Sequence, residues 1–150
     1  MVAQHLIFTL DEQRYAVPLV NVDRVIPAVY ITPLPKVPAI VLGIINIQGQ
    51  VIPVINLRRR FSLPERELEL SDQFIIAQTG KRLVALSVDT ILSIENCPDS
   101  LMTAKDAIIP GIDYIAGVIN HPDGMLLIHN LAACLSLDEE QALEAALEAA

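Results

Sequence analysis

The sequence predicts a mainly β protein, with two related small barrels in one chain followed by an acidic C-terminal helix. Three observations carry this. Just over half of the 150 residues are apolar, yet only 4% are aromatic and there is no Trp, so Ile, Val and Leu must fill the core. Branched side chains suit a pleated surface. Second, residues 41–61 (VLGIINIQGQVIPVINLRRRF) lie without gaps over residues 115–135 (IAGVINHPDGMLLIHNLAACL). Such self-similarity marks repeated structural units. Third, the apolar pattern changes to a helical period after Ser136.

The elements follow in order. His5 to Leu10 is the first strand, Asp11-Glu12-Gln13 a polar turn, and Arg14 to Pro18 resumes in extended form. Val20, Val22 and Val25 fit either a strand or a helical turn. Pro33, Pro35 and Pro38 exclude a helix interior or central strand from Ile31 to Pro38, which reads as an extended surface connection. Ile40 to Ile47, the turn Gln48-Gly49-Gln50 and Val51 to Leu57 form a hairpin, and Glu65 to Asp72 is a charged connector. A second series of strands begins with Gln73 to Gln78, turns at Thr79-Gly80-Lys81, and continues as Arg82 to Val88 and Ile91 to Ile94. Residues 96–110 give no readable pattern.

In the repeat, Gly43 pairs with Gly117, Ile45 with Ile119, Asn46 with Asn120, Asn56 with Asn130 and Leu57 with Leu131. Each copy reads strand, polar turn, strand, the second turning at His121-Pro122-Asp123-Gly124. Ser136-Leu137-Asp138-Glu139 is a capping box, and Leu143 and Leu147 then recur at helical spacing among Ala and Glu. This divides the chain into a body of residues 1–135 and a helix of residues 136–150.

The formal charge is −8, and Asp138, Glu139, Glu140, Glu144 and Glu148 supply five of those charges. An acidic chain repels phosphate backbones, which argues against nucleic acid as a partner. The 21 uncharged residues between Lys36 and Arg58 approach the length of a membrane span. Asn46, Gln48, Gly49 and Gln50 at their middle, with Pro38 and Pro53, suit a hairpin turn instead, so no membrane insertion is expected. The N-terminus shows no secretion signal, and Cys97 and Cys134 read as buried thiols of a reducing cytosol rather than a disulfide.

No chemistry of catalysis is legible. His5, His121 and His129 are too scattered for a metal site, no Ser stands in a nucleophile elbow, and no phosphate cradle occurs, so no cofactor is expected. Glu65 and Glu67 read as solvated acids of the connector. Arg58-Arg59-Arg60 reads as a solvated rim after a strand, with contact to an acidic partner as the alternative.

With both halves in view, the sequence resembles the CheW adaptor family of bacterial chemotaxis arrays. The residues that carry this are Phe8-Thr9-Leu10, Tyr15-Ala16-Val17-Pro18, Ile31-Thr32-Pro33-Leu34-Pro35, Gly43-Ile44-Ile45-Asn46, Gly49 and Val51 to Arg58. Phe61, Leu63-Pro64, Val88-Asp89, Gly117-Val118-Ile119 and Leu126 to Leu131 extend the match. The resemblance implies two SH3-like five-stranded barrels around a shared apolar core and no reaction. It implies a cytoplasmic adaptor, recruited to receptor arrays, between the cytoplasmic tip of a chemoreceptor and the regulatory domain of a CheA-type histidine kinase. The receptor tip would lie along an apolar groove between the barrels, and the kinase at barrel ends. Val22, Arg24, Val25, Gly43, Asn46, Gln48 and Ile91 match positions at or near that groove.

Members of the family commonly carry Glu where Arg24 stands and Arg where Gln48 stands; Asn56 replaces a frequent Asp and Ala85 a frequent Gly. The departures imply a divergent member whose receptor carries a compensating acid, or whose receptor coupling is altered. Two rival readings remain: a scaffold that binds only the kinase, and a small-ligand barrel, for which no convergent polar cluster is visible.

Overall fold

The computed structural model describes residues 2–98, 102–104, 114–121 and 124–149. Strands β1 (Val2–Leu10) and β2 (Gln13–Pro18) form a hairpin whose turn residues, Asp11 and Glu12, both have positive φ. A 3-10 turn, Leu19–Asn21, leads into β3 (Val22–Pro27), so the ambiguous valines divide between a helical turn and a strand. The hairpin of β4 (Val41–Ile47) and β5 (Gln50–Ile55) runs into a single helical turn, α1 (Leu57–Arg60). The second strand therefore ends two residues earlier than expected, where Asn56 caps α1 by accepting from the Arg59 N–H.

Strands β6 (Gln73–Gln78), β7 (Leu83–Val88) and β8 (Thr90–Pro98) follow, then β9 (Met102–Ala104), β10 (Ile115–His121) and β11 (Gly124–His129). The unread stretch 96–110 thus contains the end of β8 and β9, and its remainder lies outside the described residues, as do Pro122 and Asp123 of the second repeat's turn. A 3-10 turn, Leu131–Ala133, precedes helix α2 (Leu137–Ala149). Its capping box is formed: Ser136 Oγ accepts from the Glu139 N–H, and Glu139 Oε1 accepts from the Ser136 N–H. No described helix is long and apolar enough to cross a membrane.

The strands form two sheets. The first has the order β8-β1-β2-β11-β10-β9 and the second β3-β6-β7-β5-β4. Apart from the three-residue β9, each has five strands built alike. A central antiparallel pair (β1-β2, β6-β7) is joined in parallel to the second strand of a hairpin, β11 in one sheet and β5 in the other. The repeat is realised strand for strand, down to a bulge between Val41 and Gly43 that recurs between Ile115 and Gly117.

Side chains alternate between the two faces of each strand, and in the central strands β1, β2, β6 and β7 both faces are buried. Leu6, Phe8 and Leu10 of β1 and Ile75 and Ala77 of β6 join one central core, which also takes Ile55, Leu86, Val88 and Leu143 of α2. The alternate residues line a core of each sheet's own: Ile7, Ala16, Ile119 and Leu126 in the first, Ile45, Ile52, Phe74 and Ile76 in the second. Burial on both faces explains why the strands read as nearly unbroken apolar runs.

Candidate functional site

The outer strands β3 and β8 shape the site. Among the described residues each is paired on one side only, β3 with β6 and β8 with β1. In register Val22 faces Ala77 and Val25 faces Ile75; Ile91 faces Phe8 and Ile94 faces Leu6. All four partners belong to the central core, and cross-strand partners share a face. Val22, Val25, Ile91 and Ile94 therefore lie on the core side of the two outer strands. Val22 and Ile91 pack against the core, while Val25 and Ile94 remain 38% and 53% exposed. This is an apolar rim continuous with the interior. Ile94 carries no such signal in the sequence, because its face depends on the pairing of β8 with β1, which no local pattern reveals.

The other residues singled out stand elsewhere. Arg24 pairs in register with Ile76, a member of the second sheet's own core, so it projects from the opposite face of β3. It is exposed and ion-paired with Asp23 at 2.8 Å. Gly43 is buried beneath the 31–32 backbone: a Cβ there would collide with the Thr32 carbonyl oxygen and lie 2.7 Å from Ile31 Cγ2. Thr32 crosses at that point through a two-bond bridge to Ile44. Asn46 Oδ1 accepts from the Gly49 N–H at 2.9 Å, and Gln48 occupies the turn with φ of 52°. These three shape the β4–β5 hairpin. Among the described residues no hydrogen bond or ion pair joins Arg24 to Gln48.

Arg58 overturns the expectation of a solvated rim. It is buried, and its guanidinium spans Asp11 at 2.7 Å, both oxygens of Asp89 at 2.7 and 2.8 Å, and the Pro64 carbonyl. Arg66 joins the buried Asp72 to the same Asp89, at 2.7 and 2.8 Å. Asp89 also accepts from the Asp11 N–H. Burial alone would raise the Asp89 carboxyl, but the bonds from Arg58 and Asp11 and the two guanidinium charges hold it below the usual carboxylate range. Glu65 is likewise engaged, by Asn56 and Arg59. The cluster sits where the chain leaves the second sheet for the first and ties that crossover to the β1–β2 turn. Its ions satisfy one another, which is the condition for burying them.

His129 is a second buried polar group. Its Nδ1 lies 3.1 Å from the Tyr114 carbonyl, which can only accept, so Nδ1 carries the proton. Phe61 packs edge-on against its ring at 5.2 Å and stacks on Tyr15 at 4.5 Å. Burial pushes the imidazole down to about 4, with the Arg60 charge acting in the same direction.

The fold carrying these residues has counterparts among known proteins. The family model described as CheW-like domain matches residues 4–139. The chain is 29% identical over 146 residues to the chemotaxis protein CheW of Treponema pallidum (strain Nichols), covering 93% of this chain and 86% of that one. Against the chemotaxis protein CheW of Thermotoga maritima it is 36% identical over 89 residues, covering 59% of this chain and 58% of that one. The crystal structure of the scaffolding protein TtCheW from Thermoanaerobacter tengcongensis superposes with a TM-score of 0.83 at 26% identity, over 93% of this chain and 96% of that one. Two repeated sheets around one core, matched along almost their whole length in sequence and in space, place this chain in the CheW-like domain family.

Proposed function

We propose that this protein is a non-enzymatic adaptor of a chemotaxis or related motility system, coupling the cytoplasmic tip of a chemoreceptor to a CheA-type histidine kinase. The observation that carries the receptor side is the apolar rim of Val22, Val25, Ile91 and Ile94 on two outer strands. A helical partner can lay an apolar stripe along such a seam. The relatives support the pathway, since they are named chemotaxis proteins and the matched solved structure is that of a scaffolding protein. Residues 1–135 form the adaptor unit, the kinase regulatory domain docks at barrel ends, and the protein works in the cytoplasm at receptor arrays.

The test is calorimetric titration of the full chain with a soluble receptor tip and, separately, with the kinase regulatory domain. Both are expected to bind. Val25→Asp and Ile94→Asp should weaken the tip at least about tenfold, because a carboxylate would be desolvated in an apolar seam. Kinase affinity should hold. Tip binding indifferent to both substitutions would sink the receptor side.

A scaffold that binds only the kinase is the second reading. It is favoured by Arg24, which is committed to Asp23, and by Gln48, which offers no charge. That reading predicts kinase binding with no tip binding in the same titration.

A further inference from the structure

We propose that Gln73 is a positioning residue that sets the spacing between the two walls of the apolar rim. The inference rests on the docking reading above. β8 forms one wall and β3 the other, and they belong to different sheets. Gln73, the first residue of β6, is paired in register with Pro27 at the end of β3 and with Val88 at the end of β7. Its side chain reaches the other sheet, where Oε1 accepts the Ile91 N–H at 3.0 Å. One residue is thus built into the ladder of one wall and bonded to the backbone of the other.

The start of β8 needs such an anchor. Its ladder with β1 is interrupted by a bulge, where Phe8 faces Ile91, Ile7 faces Ser93, and Leu92 is the extra residue. Two residues upstream, Asp89 is gripped by Arg58 and Arg66, and its N–H donates to the Thr9 carbonyl. Between that clamp and the regular ladder, the Gln73 bond fixes Ile91, a rim residue. The donor is a backbone N–H, so the facing atom must be the amide oxygen.

A side chain that can accept should preserve the geometry, and one that cannot should release it. Gln73→Met keeps the length and removes the acceptor; Gln73→Glu keeps an acceptor. Releasing β8 makes a docking partner reimpose the spacing, which costs affinity without changing any contact residue.

The experiment uses the full chain in three forms, wild type, Gln73→Met and Gln73→Glu, with Ile94→Asp and Val25→Asp in parallel. Amide exchange at Ile91 is followed by NMR, and affinities are measured for a receptor tip and for the kinase regulatory domain. Gln73→Met should speed Ile91 exchange and weaken the tip by about tenfold each, the scale of one lost backbone hydrogen bond. Kinase affinity should be unchanged, and Gln73→Glu should restore both readouts.

Unchanged Ile91 exchange or tip affinity in Gln73→Met overturns the proposal. So does a joint fall in tip and kinase affinity with no rescue by Glu, which would mark a merely structural residue. If Ile94→Asp weakens the tip while Gln73→Met does not, the docking reading stands and this inference falls. If neither Ile94→Asp nor Val25→Asp affects the tip, both fall.

Discussion

His129 and Gly43 show how single residues are committed to the fold. His129 is neutral in the folded protein down to about pH 4, against 6.5 in an open chain. As pH falls between those values the unfolded chain takes up a proton that the folded one does not. Stability is therefore intact above pH 6.5 and lost progressively toward pH 4, by about 3 kcal/mol from this group. His129→Asn keeps a donor for the Tyr114 carbonyl without titrating, so urea midpoints of that variant should fall less steeply across the window. At Gly43 the clash with the 31–32 backbone and a φ of 153° act together. Gly43→Ala should cost about 3 kcal/mol in urea unfolding; an unchanged midpoint would refute the packing argument. The sequence placed Gly43 in a strand but could not show what crosses it. Arg58 reads as solvated in the sequence for a related reason. Its partners Asp11 and Asp89 lie in two turns far along the chain, and an arginine after a strand looks like any solvated one until they converge.

Among the elements, α2 was the most legible, because a capping box and the Leu143/Leu147 spacing are local signals. What holds it in place is not local. Arg60 binds Glu139, Arg82 binds Glu140 and Glu144, and Leu143 is inserted fully into the central core. Burial should outweigh capping here. Leu143→Ala is expected to cost about 3 kcal/mol and Ser136→Ala about 1 kcal/mol, both read by urea denaturation. A reversed order would mean that α2 is held by its ends rather than by its leucine. The hairpins were legible as well, since turn residues and apolar runs mark them. The pairing of β8 with β1, and with it Ile94, was not, because strand partners distant in sequence leave no periodic trace.

At the scale of the whole molecule, the two sheets depend on each other. The second is contiguous, residues 22–88, but Ile55, Ile75, Leu86 and Val88 face a core that Leu6, Phe8, Leu10, Tyr15 and Val17 of the first sheet help to fill. A fragment of residues 22–88 should unfold without a cooperative transition and bind a hydrophobic dye; a sharp melt would show that one sheet stands alone. The repeat foretold two similar units but not this mutual debt. The first sheet is assembled from both ends of the described chain, with β2 lying parallel to β11 through the pairs Arg14–Leu126 and Ala16–Ile128. That geometry imposes a schedule on biosynthesis. The opening hairpin leaves the ribosome more than a hundred residues before its neighbour, a wait on the order of ten seconds at ordinary translation rates. Until β11 arrives, an apolar strand edge is open to any other nascent chain. Pairing so remote in sequence also slows folding once synthesis is complete. The same remote pairing that completes the first sheet makes the chain's youth the period of greatest risk of aggregation.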